Sequence, residues 1–376
     1  MLQVLEAIIT GASLLLAFLI FTNPKGVNKK ANFWLGFFIL SVGAQSLDAL
    51  LVTHRVYDQY PVIIGLLDGF LFLIPPTFYL ATLWYVHPQR KSKRLDFLHF
   101  SFFIFFLFFR FPSIILEAPA SKLANLHATQ AVSLSYQISL GIFLAYFLTY
   151  CSLSFLLIQR HQRNIAQIDA SSGKNDLQWL KNFIIWVCLL VLMWIVGLFI
   201  QWSWVSYLIT VTFLIALFLL AHYALHQGEV YNFNPLEKKQ IQELLENNTD
   251  ENQAKSHLLS PERLQDHMVQ LKQLMETEKP HLDNELNLLK LSEKMQSSIH
   301  VVSYVINVGF GENFAQFVNR YRVEEAKKLL KTPDTEHLSM LGIAYDAGFN
   351  SKTAFNTSFK KLTGLSPSDY KNQRPE

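Results

Sequence analysis

Long apolar runs fill the first 226 positions, and beyond them the pattern changes to short helical stripes cut by turn residues. A helix needs about 20 mostly apolar residues to cross a bilayer. Seven segments reach that length, 4–22, 32–53, 61–87, 95–116, 132–158, 182–202 and 204–226. The last two meet at Gln201, Trp202, Ser203 and Trp204, which predicts a very tight hairpin at an interface, where tryptophan is favoured. Pro75 and Pro76 fall inside the third run and predict a break there, because proline removes a helical hydrogen bond and clashes with the preceding turn.

After His226 the chain turns polar, and the run Glu246 to Gln253 is too polar to bury a core, so 227–280 reads as a linker. Within it Ser260-Pro261-Glu262 predicts a helix start, and Leu264, Met268, Leu271 and Met275 form one apolar stripe. That stripe either packs on its own domain or makes a homodimer contact through the 260–280 helix. From 281 to 376 there is no strand alternation. Two helix-turn-helix units can be laid out: 288–295, a turn at 296–298 and 299–308, then 340–347, a turn at 348–351 and 352–362. A spacer helix lies between them at 313–330. The expected fold class is therefore all-α, a seven-helix transmembrane bundle (1–226), the linker, and a soluble all-helical domain (281–376).

A DNA-reading helix must present small or polar side chains to the major groove while a second helix braces it. In the second unit Gly348 suits a helix C-cap with positive φ and Ser351 an N-cap. Lys352, Thr353, Asn356 and Thr357 share one face of the following helix, opposite Phe355, Phe359 and Leu362. Lysine can read guanine and asparagine adenine, and Lys360 and Lys361 are placed for phosphates. The alternative is an interaction module that kept the fold without DNA.

The stretch 313–330, NFAQFVNRYRVEEAKKLL, followed by Ile343-Ala344-Tyr345-Asp346-Ala347-Gly348-Phe349, Phe355, Phe359-Lys360-Lys361, Thr363-Gly364 and Ser366 to Tyr370, resembles the AraC/XylS family signature over 280–372. The resemblance implies two helix-turn-helix units reading successive major grooves of double-stranded DNA. By position it implies base-facing roles for His300, Ser303 and Tyr304 in the first unit and for Lys352, Thr353, Asn356 and Thr357 in the second. The first unit departs from the family. Tyr304 stands where members commonly place arginine, and no Lys or Arg occurs between Lys294 and Arg320. Phosphate neutralisation supplies much of the affinity for DNA, so this unit should bind weakly.

Charge sets the topology. Lys and Arg resist translocation, and loops one, three and five hold eleven of them while loops two, four and six hold only Arg55 and Lys122. This puts the N-terminus outside and the C-terminal domain in the cytoplasm of a bacterium, with the bundle in the inner membrane. The first run has no basic n-region and no small-residue cleavage site, so it is expected to stay in the mature protein. With 12 basic and 11 acidic residues, the region from 281 onward is not a strong non-specific binder.

Glu6, Asp48, Asp68 and Arg110 fall in the outer third of their spans, with Gln45, Tyr136, Gln137, Gln201 and Tyr207 at similar depth. Ionisable groups inside spans are costly and mark functional sites or internal ion pairs. Asp48, Asp68, Arg110, Gln137 and Gln201 are thus candidates for a periplasmic small-molecule site or a switch, and a structural ion pair is the other reading. The nine phenylalanines from Phe97 to Phe111 read as lipid-facing bulk, and Cys151 and Cys188 as packing residues. His222 and His226 lack a third ligand, so no metal is expected, and no cofactor. No H-E-x-x-H, G-x-S-x-G or phosphate-binding glycine loop occurs, so an enzyme is not expected. A transporter or channel with a regulatory tail would bring inverted repeats and several broken helices. The function expected is one-component signalling, from the bundle through 227–280 to promoter binding, with RNA polymerase as a partner if the protein activates.

Overall fold

The computed structural model describes residues 2–23, 25–127, 134–170, 177–200, 203–228, 259–332 and 338–372. Helices make up the secondary structure, with no strand among the described residues. The chain divides into two compact units, 1–159 with 178–229, and 160–177 with 230–376.

The first unit holds the apolar helices α1 (Leu2–Phe21), α2 (Lys29–Thr53), α3 (Gly69–Val86), α4 (Arg94–Leu116), most of α5 (Leu134–Ile168), α6 (Gln178–Ile200) and α7 (Ser203–His226). All seven contain stretches long and apolar enough to cross a membrane. α1 packs along α2 and α7, α2 along α3, and α6 along α7. Gly36 faces the Phe21 ring and Gly43 faces Ser13, and a Cβ at either glycine would come within 2.7 Å of those side chains. Small residues one helical stripe apart thus let two backbones approach, as in helix packing within membranes.

Three sequence expectations change here. The third apolar helix begins at Gly69, because 56–63 folds as two short turns, Val56–Gln59 and Pro61–Ile63. Pro75 and Pro76 do not break α3. Pro76 cannot donate to the carbonyl of Phe72, and Tyr146 Oη donates to that carbonyl instead at 3.0 Å, so a neighbouring helix supplies the missing partner. The interruption falls in α4, which passes from a 3-10 segment (Arg94–Phe100) through an α segment to a π segment (Phe106–Arg110). Cys151 and Cys188 are both free and half-buried.

The second unit is built from α8 (Pro261–Thr277), α9 (Leu288–Lys294), α10 (Ile299–Gly309), α11 (Phe314–Lys331), α12 (Met340–Asp346), α13 (Lys352–Thr363) and α14 (Pro367–Asn372). Six of these helices start on a side-chain cap: Ser260, Asn287, Ser298, Asn313, Ser339 and Ser351 each accept a backbone N–H three residues on. Such caps satisfy donors that a helix leaves orphaned and contribute about 1 kcal/mol each. Two cores result. One gathers Leu271, Met275, Leu288, Leu291, Val302, Ile306 and Phe317, and the other Val323, Ala326, Ile343, Phe349, Phe355 and Phe359.

The stripe of α8 belongs to the first core: Leu271 and Met275 are buried, Leu264 and Met268 pack against it, and Met268 sits where a Cβ on Gly309 would clash. Of the two readings of that stripe, the structure shows packing on its own domain. The polar run 246–253 lies outside the described residues.

Candidate DNA interface

Both helix-turn-helix units are present, and their second helices differ. In the second unit Gly348 ends α12 at φ +87°, and a Cβ there would lie 2.2 Å from the backbone oxygen of His281. Glycine is therefore required twice, by conformation and by space. Ser351 Oγ then accepts the N–H of Ala354 and starts α13. Ala354, Phe355 and Phe359 face the core, which leaves Lys352, Thr353, Asn356, Thr357, Lys360 and Lys361 exposed on the other side. Among the described residues no ion pair engages Lys352, Lys360 or Lys361. Three cations and two short hydroxyls beside an amide form a face suited to phosphates and base edges. Leu362, expected on the apolar side, is exposed at 46%, because it falls past the last core-facing position, Phe359.

The first unit presents less. His300 and Tyr304 are half-buried on α10. Ser303 is buried at 5%, and its Oγ accepts from Asn307 Nδ2 at 3.2 Å. Ile299, Val302, Ser303 and Ile306 share the inward face of α10. The nearby cations are engaged within the domain: Lys290 with Asp283 at 3.1 Å, Lys294 with Glu278 at 2.9 Å, and Arg320 with Glu312 at 2.9 Å. The Glu312 carboxylate raises the pKa of the Arg320 guanidinium above its ordinary value.

A residue that sequence reading did not single out joins the two units. Arg322 of α11 is 1% exposed; its Nε donates to His281 O and its Nη2 to Asp283 O, both at 2.8 Å, and its guanidinium lies 5.8 Å from the Phe349 ring centroid. Burial lowers its pKa to about 10, against the opposing charges of Asp169 and Asp283. His281 beside it is buried, with Nδ1 unpartnered, and burial lowers its pKa to about 4. The sequence signal was available: Arg322 stands midway between the core positions Val318 and Ala326 at helical spacing.

Residues 291–373 match the family model described as a helix-turn-helix domain. Similar proteins include the uncharacterized HTH-type transcriptional regulators of Staphylococcus aureus strains MSSA476, N315 and MW2, each 33% identical over 95 residues. That alignment covers 25% of this chain and 12% of each relative, so the chain spans a small fraction of their length. No solved structure matches the chain significantly.

In the first unit of the molecule, the predicted outer cluster is partly assembled. Asp68 is electrostatically coupled to both Asp48 and Arg110, and Tyr57 Oη donates to Asp48. Gln45 Nε2 donates to Leu67 O at 2.9 Å. Gln137 is exposed, and Gln201 lies outside the described residues, as does the side chain of Tyr136. Sequence reading missed a second polar lattice at the other end of these helices. There Tyr85 Oη donates to buried Asn32 at 2.6 Å, Trp179 Nε1 donates to Gln227 Oε1 at 2.7 Å, and Asn28 Nδ2 reaches Gln227 O at 3.3 Å. The His222 and His226 rings lie 4.4 Å apart, tilted by 34°, and no metal-ligating cluster occurs among the described residues.

Proposed function

We propose that the chain is a membrane-embedded, sequence-specific DNA-binding transcription regulator, a one-component sensor in which a signal at the seven-helix bundle sets promoter binding by the C-terminal domain. The observation that carries this reading is the exposed face of α13, where Lys352, Thr353, Asn356 and Thr357 stand over buried Phe355 and Phe359. The helix-turn-helix match and the names of the relatives support it.

In this reading α1 to α7 lie in the bacterial inner membrane with the N-terminus outside, and the eleven basic residues of the odd loops hold those loops in the cytoplasm. The outer cluster of Asp48, Tyr57, Asp68 and Arg110 is the place where a periplasmic small molecule would act. Double-stranded DNA is the cytoplasmic partner, and RNA polymerase joins if the protein activates. A transporter with a regulatory tail is disfavoured because, among the described residues, α4 alone of the seven apolar helices is broken.

A map of chromosomal sites bound by the full chain tests the reading, together with reporters fused at the N-terminus and after His226. Discrete sites sharing one sequence, and a reporter active in the cytoplasm only at His226, are the expected results. Absence of sequence-selective sites sinks the DNA-reading claim, and a cytoplasmic N-terminus sinks the topology.

A further inference from the structure

The last turns of α5 and the residues that follow belong to the same compact unit as the helix-turn-helix domain. Ile165, Ile168 and Ala170 are buried in the first core with Leu271, Met275, Leu286 and Leu291. Asp169 forms an antiparallel backbone bridge with Asn287, the residue whose side chain caps α9. Arg322 Nη1 donates to Ala170 O at 3.3 Å, while its other nitrogens hold His281 O and Asp283 O. One buried guanidinium therefore ties the loop between the fifth and sixth candidate spans to the junction of the two helix-turn-helix units.

This arrangement is specific. Two isoleucines and an alanine enter a core that already contains helices from both sides of the first unit, and a buried cation draws an acceptor and part of its counter-charge from the same short segment. A buried polar group left without its partners is strongly unfavourable, so withdrawal of the segment would loosen Arg322 and, with it, the packing of His281 against Gly348. The two reading helices depend on that junction for their spacing, and spacing decides whether both can meet the DNA together.

We propose that residues 160–170 are a coupling strap, which completes the core of the first helix-turn-helix unit and makes DNA affinity depend on whether it is docked. The proposal rests on the DNA-binding reading above. It routes the signal from the bundle through the loop after α5, a shorter path than the polar segment after His226.

The test uses the full chain in lipid nanodiscs, with Cys151 and Cys188 changed to Ser and the pair Asp169→Cys and Asn287→Cys introduced. Mild oxidation should join the pair. Binding is then measured, in the chain with native Asp169 and Asn287, to a duplex selected from a random-sequence library. Ile168→Glu should slow crosslinking in the cysteine pair and weaken duplex binding on the order of tenfold, while Ile168→Val leaves both as they were. A pair that does not crosslink overturns the strap, and so does an undocked Ile168→Glu chain that binds like the parent. Hydrogen exchange of α12 and α13 guards against simple unfolding: if Ile168→Glu abolishes protection there too, the segment is a plain core element and the switch is wrong. A parent chain that crosslinks efficiently but binds no selected duplex overturns the DNA-binding reading and the coupling claim with it, and is distinguished from a missing strap by the crosslink.

Discussion

The two helix-turn-helix units share a fold and spend their charged residues differently. In the first, Lys290, Lys294 and Arg320 are each paired to a carboxylate of the same domain, Ser303 is buried, and residues 165–170 are built into the core. In the second, Lys352, Lys360 and Lys361 stand exposed beside Asn356 and Thr357. Exposed cations are available to phosphates, whereas a lysine already held by a carboxylate must give up that contact first. In the proposed function, the second unit reads DNA and the first attaches to the strap.

The largest effect should come from the residue that joins them. Arg322→Leu leaves two buried carbonyls, of His281 and Ala170, without this donor, and removes one of the donors to Asp283 O, which keeps the N–H of Leu286. The C-terminal unit should lose on the order of 3 kcal/mol in denaturant unfolding. A loss near zero would mean that the junction is held by apolar packing alone.

The neighbouring His281 adds a pH dependence. Its folded pKa is lowered to about 4 from the ordinary 6.5 because burial disfavours the charged ring, Arg322, Lys279 and Lys328 acting in the same direction and Glu325 against it. The unfolded chain therefore binds a proton more readily, so the contribution is fully present above pH 6.5 and is lost as pH falls toward 4. Unfolding curves across that window should show stability falling with acid, and His281→Gln should flatten the fall. An unchanged slope would remove His281 as its source.

Next in size are the reading contacts. Lys352→Ala or Asn356→Ala should cost about 1–3 kcal/mol at the selected duplex, while His300→Ala and Tyr304→Ala should cost below ~1 kcal/mol, and Ser303→Ala should leave duplex binding unchanged. Equal losses in the two units, measured by titration, would erase the contrast. The smallest and least selective effect belongs to Lys361→Ala, which should weaken all duplexes alike and reduce the salt slope by about 1. A loss confined to one sequence would make Lys361 a base contact.

The long apolar helices and the helix-turn-helix units were legible because apolar length and helical period are local signals, and Gly348 and Ser351 announce their turn by chemistry. Ser303 was readable in principle, since it repeats with Ile299 and Ile306 at helical spacing, yet family position placed it on the outer face. The strap was not legible. Ile165 and Ile168 are two apolar residues among Arg160, Arg163 and Asp169, and their partners lie more than 100 positions away. The Asn32 to Tyr85 and Trp179 to Gln227 contacts escaped for the same reason. Pro75 and Pro76 misled because the compensating hydroxyl, Tyr146, sits on another helix.

A base-resolved footprint of the full chain on its selected duplex tests the division between the units most directly. The account predicts one set of base-specific major-groove contacts, lost with Asn356→Ala and kept with His300→Ala, flanked by contacts to phosphate alone on the side of the first unit. Two equal sets of base contacts one helical turn apart, the second lost with His300→Ala, would contradict it.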